Sequence, residues 1–475
     1  MSMFSRFFRR LHTMPCAKAA RGRHQLGKYF GTDGFRGRAN ETLTGVHAFR
    51  TGRFLGHYFS ELKGGRARIV VGKDTRRSSY MLEYALAAGA VASGADVYLL
   101  HVTTTPSVSY VTRTEAFDCG VMISASHNPF EDNGIKLMNA RGEKLEDSVV
   151  SLLEEFLDGG NLPFATGADI GRTVDYVAGR NRYLAYLLAL PRVSFRGMRV
   201  GLDCANGSAF MMAKALFDAL GAEVYAVGVE PDGTNVNAGC GSTHIGRLEA
   251  FVREKALDIG FAFDGDADRC IAVNERGEAV DGDGILYLCA RFLKSRGELD
   301  QNAIVATEMS NLGLVRSLAR EGIDCVLTEV GDRFVYREMT ERGIMLGGEH
   351  SGHVIFRKYA QTGDGLLTAL KVMEIVLESG CPLSCLTEGF HRFAQARRNV
   401  RTDDKQGALQ SARVKEAVRT AEDTLEGGRV IVRASGTEPV IRVLVEGEDA
   451  ALCDACAERI ACAVRAEGTP ECVES

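Results

Sequence analysis

Apolar and polar positions recur along the chain in one order. From Arg68 an apolar strand (IVVG) runs into a polar loop (KDTRRSS), a helix-like run from Tyr80 to Ser93, Gly94, and a second β-rich stretch, VYLL, ending at Leu100. The order returns from Arg199, with RVGLDC, ANGS, a helix from Phe210 to Leu220, Gly221 and EVYAVG. It returns again from Ala303, with AIVAT, EMSN, a helix from Leu312 to Arg320, Gly322 and DCVLT. Each helix stops at a glycine placed for a left-handed C-cap. The units are spaced as domains rather than as a solenoid, which predicts three homologous mixed-sheet, three-layer α/β domains. Beyond about Leu386 the pattern changes to polar and basic segments. They predict a helix from Ala408 to Leu425, a hairpin of RVIVR with VIRVLVEG, and a last helix from Ala450 to Arg465, together a smaller α+β domain. The expected division is 1–27, a basic arm, then 28–180, 181–284, 285–388 and 389–475, arranged around one central cleft.

Composition narrows the function. A hydrophobic fraction of 45%, a charged fraction of 25% and a formal charge of -5 describe a globular chain with no broad electropositive field. Nucleic acid and membrane are therefore not expected partners, and an anionic substrate has to be held by local cations, backbone N–H groups or a metal. The thirteen cysteines are scattered among apolar neighbours and read as reduced core residues. Cys453 and Cys456 form one Cys-x-x-Cys pair, with no second pair to complete a zinc site. Arg6, Arg9, Arg10, Lys18, Arg21 and Arg23 precede the first acidic residue, Asp33. This arm reads either as an organelle-targeting peptide or as the product of a start placed upstream of Met14; it lacks a secretory h-region, so the expected location is cytoplasmic.

Four loops carry candidate chemistry. Ser124-Ala-Ser-His-Asn-Pro129 follows the apolar strand CGVMI, and it places the Ser126 hydroxyl beside a proton carrier, His127, and a cation, Lys136. Asp264, Asp266 and Asp268 alternate along a loop between IGFAF and CIAV, an all-oxygen set suited to Mg²⁺. A calcium loop would also use Asp-x-Asp-x-Asp with Glu275 at its twelfth place, but Arg269 stands where that loop needs glycine. Gly347-Gly-Glu-His-Ser-Gly-His353 offers Glu349 and Ser351 to sugar hydroxyls, and His353 is a further candidate for binding the substrate. Arg433, Ser435, Gly436 and Thr437 can form an anion nest in the last domain. Taken singly, the Ser124–Pro129 loop is also readable as a polar turn and the Gly347–His353 loop as a glycine turn.

These loops, with Lys28-Tyr-Phe-Gly-Thr-Asp-Gly-Phe-Arg-Gly37 and Val330-Gly-Asp-Arg-Phe-Val335, resemble the α-D-phosphohexomutase superfamily from Lys28 to the C-terminus. The likeness is greatest to its bacterial phosphoglucosamine mutase branch. The resemblance implies a phosphoserine at Ser126, proton transfer assisted by His127 and Lys136, and Arg36 and Arg269 near the transferring group. It further implies Mg²⁺ on Ser126, Asp264, Asp266 and Asp268, sugar contacts at Glu349 and Ser351, and the second phosphate on Arg433, Ser435, Gly436 and Thr437. The implied reaction interconverts glucosamine 6-phosphate and glucosamine 1-phosphate through a bisphosphate, with a hexose 1,6-bisphosphate as priming activator, for UDP-N-acetylglucosamine and peptidoglycan precursors. The partner is a small sugar phosphate, and the first phosphoryl group on Ser126 comes from a kinase or from self-phosphorylation. Oligomeric state is not specified. Two residues depart from the branch: Ala267 stands in place of glycine, tolerable unless that position needs a positive φ, and His350 in place of Gln or Asn. The second leaves phosphomannomutase or phosphoglucomutase activity as the alternative, with a non-catalytic phosphosugar sensor behind it.

Overall fold

A computed structural model describes residues 27–31, 33–435 and 439–467; apart from Gly27, the basic arm lies outside them. The first sheet orders its strands as Phe30–Gly31, Gly34–Arg38, Asp132–Asn139, Cys119–Ile123, Arg68–Lys73, Asp96–Val102 and Thr173–Asp175. The second runs Ala279–Val280, Cys270–Val273, Ile259–Phe263, Arg199–Asp203 and Glu223–Val227, and the third Asp324–Thr328, Ala303–Thr307, Leu346–Gly348 and Val354–Phe356.

All three sheets contain the same set of strands. The parallel pairs read from the sequence are present, Arg68–Lys73 with Asp96–Val102, Arg199–Asp203 with Glu223–Val227, and Ala303–Thr307 with Asp324–Thr328. On the other side of each first strand lies a further parallel strand, which continues through a loop into an antiparallel one. The Ser126, Asp264 and Glu349 loops are these three hairpin connections. Three of the four chemical loops thus occupy one topological position, at strand ends where function-bearing loops collect.

The connecting helices end as their sequence dictates. Gly94, Gly221 and Gly322 adopt φ of 89°, 98° and 66°, which a side chain would oppose. The helix Leu312–Arg320 matches its predicted bounds, whereas the run from Phe210 breaks into a short 3-10 turn, Ser208–Met211, and the helix Ala213–Ala219. In the first domain the helices Gly45–Lys63 and Arg77–Val91 cross so closely that a methyl group at Gly52 would overlap the Leu86 carbonyl.

The second and third domains share one apolar core, from Tyr183 to Leu383, while the first has its own around Ile69, Leu86 and Val121. The last domain is a three-stranded antiparallel sheet, Ala394–Arg401, Val440–Gly447 and Arg429–Ala434, covered by helices. The helix predicted over Ala408 to Leu425 is two, Lys405–Gln410 and Ala412–Thr424, because Ser411 caps the second by accepting from the Arg413 N–H. Cys453 and Cys456 lie in its core with Ile460 and Val464, on the inner face of the helix Ala450–Glu467.

Candidate active site

Pro129 and the turn preceding it drive the chain out of the strand Cys119–Ile123 and leave Ser126 at φ 53°, a left-handed conformation that costs a non-glycine residue about 1–2 kcal/mol. The turn is held from behind. The Ser126 N–H donates to Ser124 Oγ at 2.9 Å, and Ser124 donates to Asp74 at 2.6 Å. Arg76, fully buried, pairs with Asp74 and donates to the carbonyls of Ser126 (3.0 Å) and Asn128 (2.6 Å). Ser124 is therefore a support for the turn. The Ser126 hydroxyl points the other way, donating to Asp264 Oδ2 at 2.5 Å with His127 Nδ1 at 3.3 Å.

Asp264, Asp266 and Asp268 are buried, with candidate ligand oxygens within 4.8 Å of one another, the only such group able to hold a metal ion among the described residues. Asp266 Oδ1 and Asp268 Oδ1 are buried without a hydrogen-bond partner. Orphaned acceptors on converging carboxylates fit a hard divalent cation. Burial, followed by the charges of Asp268 and Asp266, pushes Asp264 up to about 8, the effect expected of a carboxylate crowded with like charges. The carboxylate of Glu275 accepts instead from Ser384 at the edge of the domain, which removes the calcium-loop reading. Ala267 sits at φ 55°, so the departure from glycine does fall on a position needing positive φ.

Four cations surround this group. Lys136 Nζ lies 2.8 Å from both Asp266 and Asp268 and 3.3 Å from Asp33. Burial alone would lower its ammonium, but the carboxylates hold it well above its ordinary value. Arg36 pairs with Asp33 and reaches Asn128 Oδ1 at 3.4 Å, and the Arg269 N–H donates to Asp264 at 3.2 Å. Lys144 bridges Asp33 (2.8 Å) in the first domain to Asp332 (2.6 Å) in the third, beside a cavity of about 370 Å³ that Lys136 and Asp268 also line. His127 is pushed down to about 3 by burial, then by Arg269 and Arg36, so its ring is neutral here.

The sugar-loop candidates approach from the third domain. Glu349 is buried and accepts from the Gly331 N–H at 3.1 Å, which brings the stretch from Val330 to Val335 to the site. The loop is tied to the metal loop through the Cys270 N–H and the Gly352 carbonyl at 3.0 Å. His353 accepts from the Gly363 N–H and lies 3.8 Å from Asp268 and 3.7 Å from Asp332. It is a buried link between loops, and Ser351 on the same loop is only half-buried. His350 has a buried Nδ1 with no partner, and burial and then Arg397 of the last domain lower its pKa. In the last domain Arg433 stands 4.0 Å from Glu308, and the Ser435 carbonyl accepts from Lys405 at 2.8 Å. Gly436 and Thr437 lie outside the described residues.

Sequence reasoning missed Asp33, Arg76, Thr105, Lys144 and Asn237. Thr105 donates to Asp266, and Asn237 to the carbonyls of Ser126 and Asn128. Only Asp33 carried a signal, its place in the motif that opens the domain.

Residues 27–161, 181–277, 281–393 and 398–463 match, in turn, the phosphoglucomutase/phosphomannomutase alpha/beta/alpha domains I, II and III and C-terminal domain. Among curated proteins, the phosphoglucosamine mutase of Lachnospira eligens is 56% identical over 447 residues, 93% of this chain and 99% of that one. That of Bacillus subtilis is 47% identical over 93% of this chain and 99% of its own. Among solved structures, a phosphoglucomutase/phosphomannomutase family protein from Burkholderia thailandensis superposes with a TM-score of 0.76 at 25% identity, covering 93% of this chain and 98% of that one. The N-acetylphosphoglucosamine mutase of Aspergillus fumigatus, solved with GlcNAc-6P and magnesium, shares the fold at a TM-score of 0.66 and 18% identity, over 94% and 96% of the two chains. From the four domains in order and the extent of these identities, the chain belongs to the phosphoglucomutase/phosphomannomutase family.

Proposed function

We propose that the chain is a phosphoglucosamine mutase, an isomerase that interconverts glucosamine 6-phosphate and glucosamine 1-phosphate and feeds UDP-N-acetylglucosamine and peptidoglycan precursor synthesis in the cytoplasm. The observation that carries this reading is the Ser126 hydroxyl, 2.5 Å from Asp264 at the mouth of the buried triad. Mg²⁺ held by Asp264, Asp266, Asp268 and the phosphate of Ser126 would neutralise charge on the phosphoryl oxygens.

In this reading a sugar hydroxyl bonds to phosphorus as the Ser126 Oγ–P bond breaks. The hydroxyl proton passes to neutral His127 and from there to Ser126 Oγ, leaving a hexose bisphosphate and free Ser126. Lys136, ion-paired with Asp266 and Asp268, would assist this proton transfer and, with Arg36 and Arg269, clamp the phosphoryl charge. The bisphosphate turns end for end, Arg433, Ser435, Gly436 and Thr437 hold the phosphate not in transfer, and Glu349 and Ser351 hold the sugar. The other phosphoryl group then returns to Ser126. A hexose 1,6-bisphosphate serves as primer by the same route. The sheets support division at 28–180, 181–284, 285–388 and 389–475, since Thr173–Asp175 closes the first, Ala279–Val280 the second and Ala394–Arg401 opens the last.

His350 favours a second reading, a mutase of neutral hexoses, because its buried Nδ1 replaces an amide. Measuring kcat/KM for glucosamine 1-phosphate, glucose 1-phosphate and mannose 1-phosphate separates the two. A tenfold preference for the amino sugar, about 1.4 kcal/mol in transition-state binding, is the expected result. A preference for a neutral hexose replaces the substrate assignment, and absence of turnover replaces the enzyme with a sensor.

A further inference from the structure

The turn that carries Ser126 is gripped from two domains at once. Its two outward carbonyls, those of Ser126 and Asn128, each accept from Arg76 of the first domain. Each also accepts from Asn237 Nδ2 of the second, at 2.9 and 3.0 Å. A carbonyl oxygen has two lone pairs, so both are used on both groups.

Asn237 is built for this contact. It is 6% exposed and sits at φ 58°, a conformation asparagine tolerates better than most residues. Its own N–H donates to the Ala205 carbonyl at 2.9 Å. The segment that follows is rooted in the metal-loop sheet, because the Ser242 N–H donates to the carbonyl of Phe263, the residue before Asp264, and the Gly241 N–H donates to Asp203. Gly265, in the metal loop itself, packs with no room for a side chain between the Ser126 carbonyl and Asn237. One side chain therefore connects the strained nucleophile turn to the strand end that bears its metal ligand.

We propose that Asn237 is a positioning residue for phosphoryl transfer. It fixes the Ser126 turn against the triad across the domain seam and contributes nothing to sugar affinity. Its kinetic part rests on the mutase reading above, and its structural part does not.

The test compares N237G, N237A and N237D in the full-length protein. Glycine removes the donor and accepts the left-handed backbone, alanine removes the donor and strains it, and aspartate keeps the shape but turns an acceptor toward both carbonyls. All three are expected to lower kcat at least tenfold with KM within about twofold of wild type, since an interaction used in the transition state and not in ground-state binding appears in kcat. Amide exchange over residues 124–130 is expected to speed up at least tenfold in N237G, with the global unfolding midpoint little changed. Wild-type kcat in N237G overturns the proposal, as does a loss confined to KM or unchanged exchange in that segment. If wild-type protein turns over no hexose phosphate, the mutase reading falls, and the exchange measurement still decides whether Asn237 holds the turn.

Discussion

Lys136 Nζ stands 2.8 Å from Asp268 Oδ2, and as near to Asp266, so an internal ammonium already neutralises part of the triad that a divalent cation would complete. The remaining orphaned oxygens, Asp266 Oδ1 and Asp268 Oδ1, are those that gain most from such an ion. Magnesium should therefore raise the thermal unfolding midpoint, and chelation should reverse the rise. Asp264→Asn should abolish the magnesium-dependent shift and lower kcat at least a hundredfold, and a full shift in that variant would place the ion elsewhere.

Asp364 gives a pH dependence outside the catalytic loops. It caps the helix Gly365–Ser379 through the Leu367 N–H and accepts from Tyr183 at 2.8 Å, and burial pushes its carboxyl up to about 6. A carboxyl whose folded pKa is raised favours the folded state fully below its unfolded value of about 3.8, and that contribution is lost as pH rises through about 6. Relative to wild type, Asp364→Asn should gain roughly 2 kcal/mol between pH 4 and pH 7, since asparagine caps equally well. Denaturant midpoints across that range test it; parallel curves for the two proteins would contradict it.

The helix crossing in the first domain admits no side chain at Gly52. Gly52→Val should force the helix Arg77–Val91 away from its partner and cost about 1–3 kcal/mol, read as a lower urea midpoint. A neutral result would mean that the two helices separate freely.

Among the described residues, the ion pair of the Arg433 guanidinium is a loose 4.0 Å contact with Glu308. In the mutase reading its guanidinium takes the phosphate not being transferred, so Arg433→Ala should raise KM for the sugar phosphate about tenfold or more, with a smaller change in kcat. An unchanged KM would remove it from the cradle.

Much of this site is local in sequence and was legible there. Three parallel strand pairs joined by glycine-capped helices announced the repeated domains, and Ser126 and the Asp triad stand at the ends of apolar strands read from the sequence, whereas the three-residue strand Leu346–Gly348 before Glu349 has no alternation to mark it. The break at Ser411 was harder to see, because a serine cap inside a continuous polar run leaves the helical period intact. Asn237, Thr105 and Lys144 were not legible, since each reaches across a domain seam to a partner far away in the chain. The strand Thr173–Asp175 was missed for a different reason: it is a short, exposed edge with no apolar alternation to mark it.

The central claim is that Ser126 carries the phosphoryl group. The most direct test is the intact mass of the protein after incubation with glucose 1,6-bisphosphate and magnesium. The account predicts one added phosphoryl group, located on Ser126 by fragmentation, absent from Ser126→Ala and discharged by glucosamine 6-phosphate or glucosamine 1-phosphate. An unmodified wild-type protein, or an adduct that persists in Ser126→Ala, would contradict it.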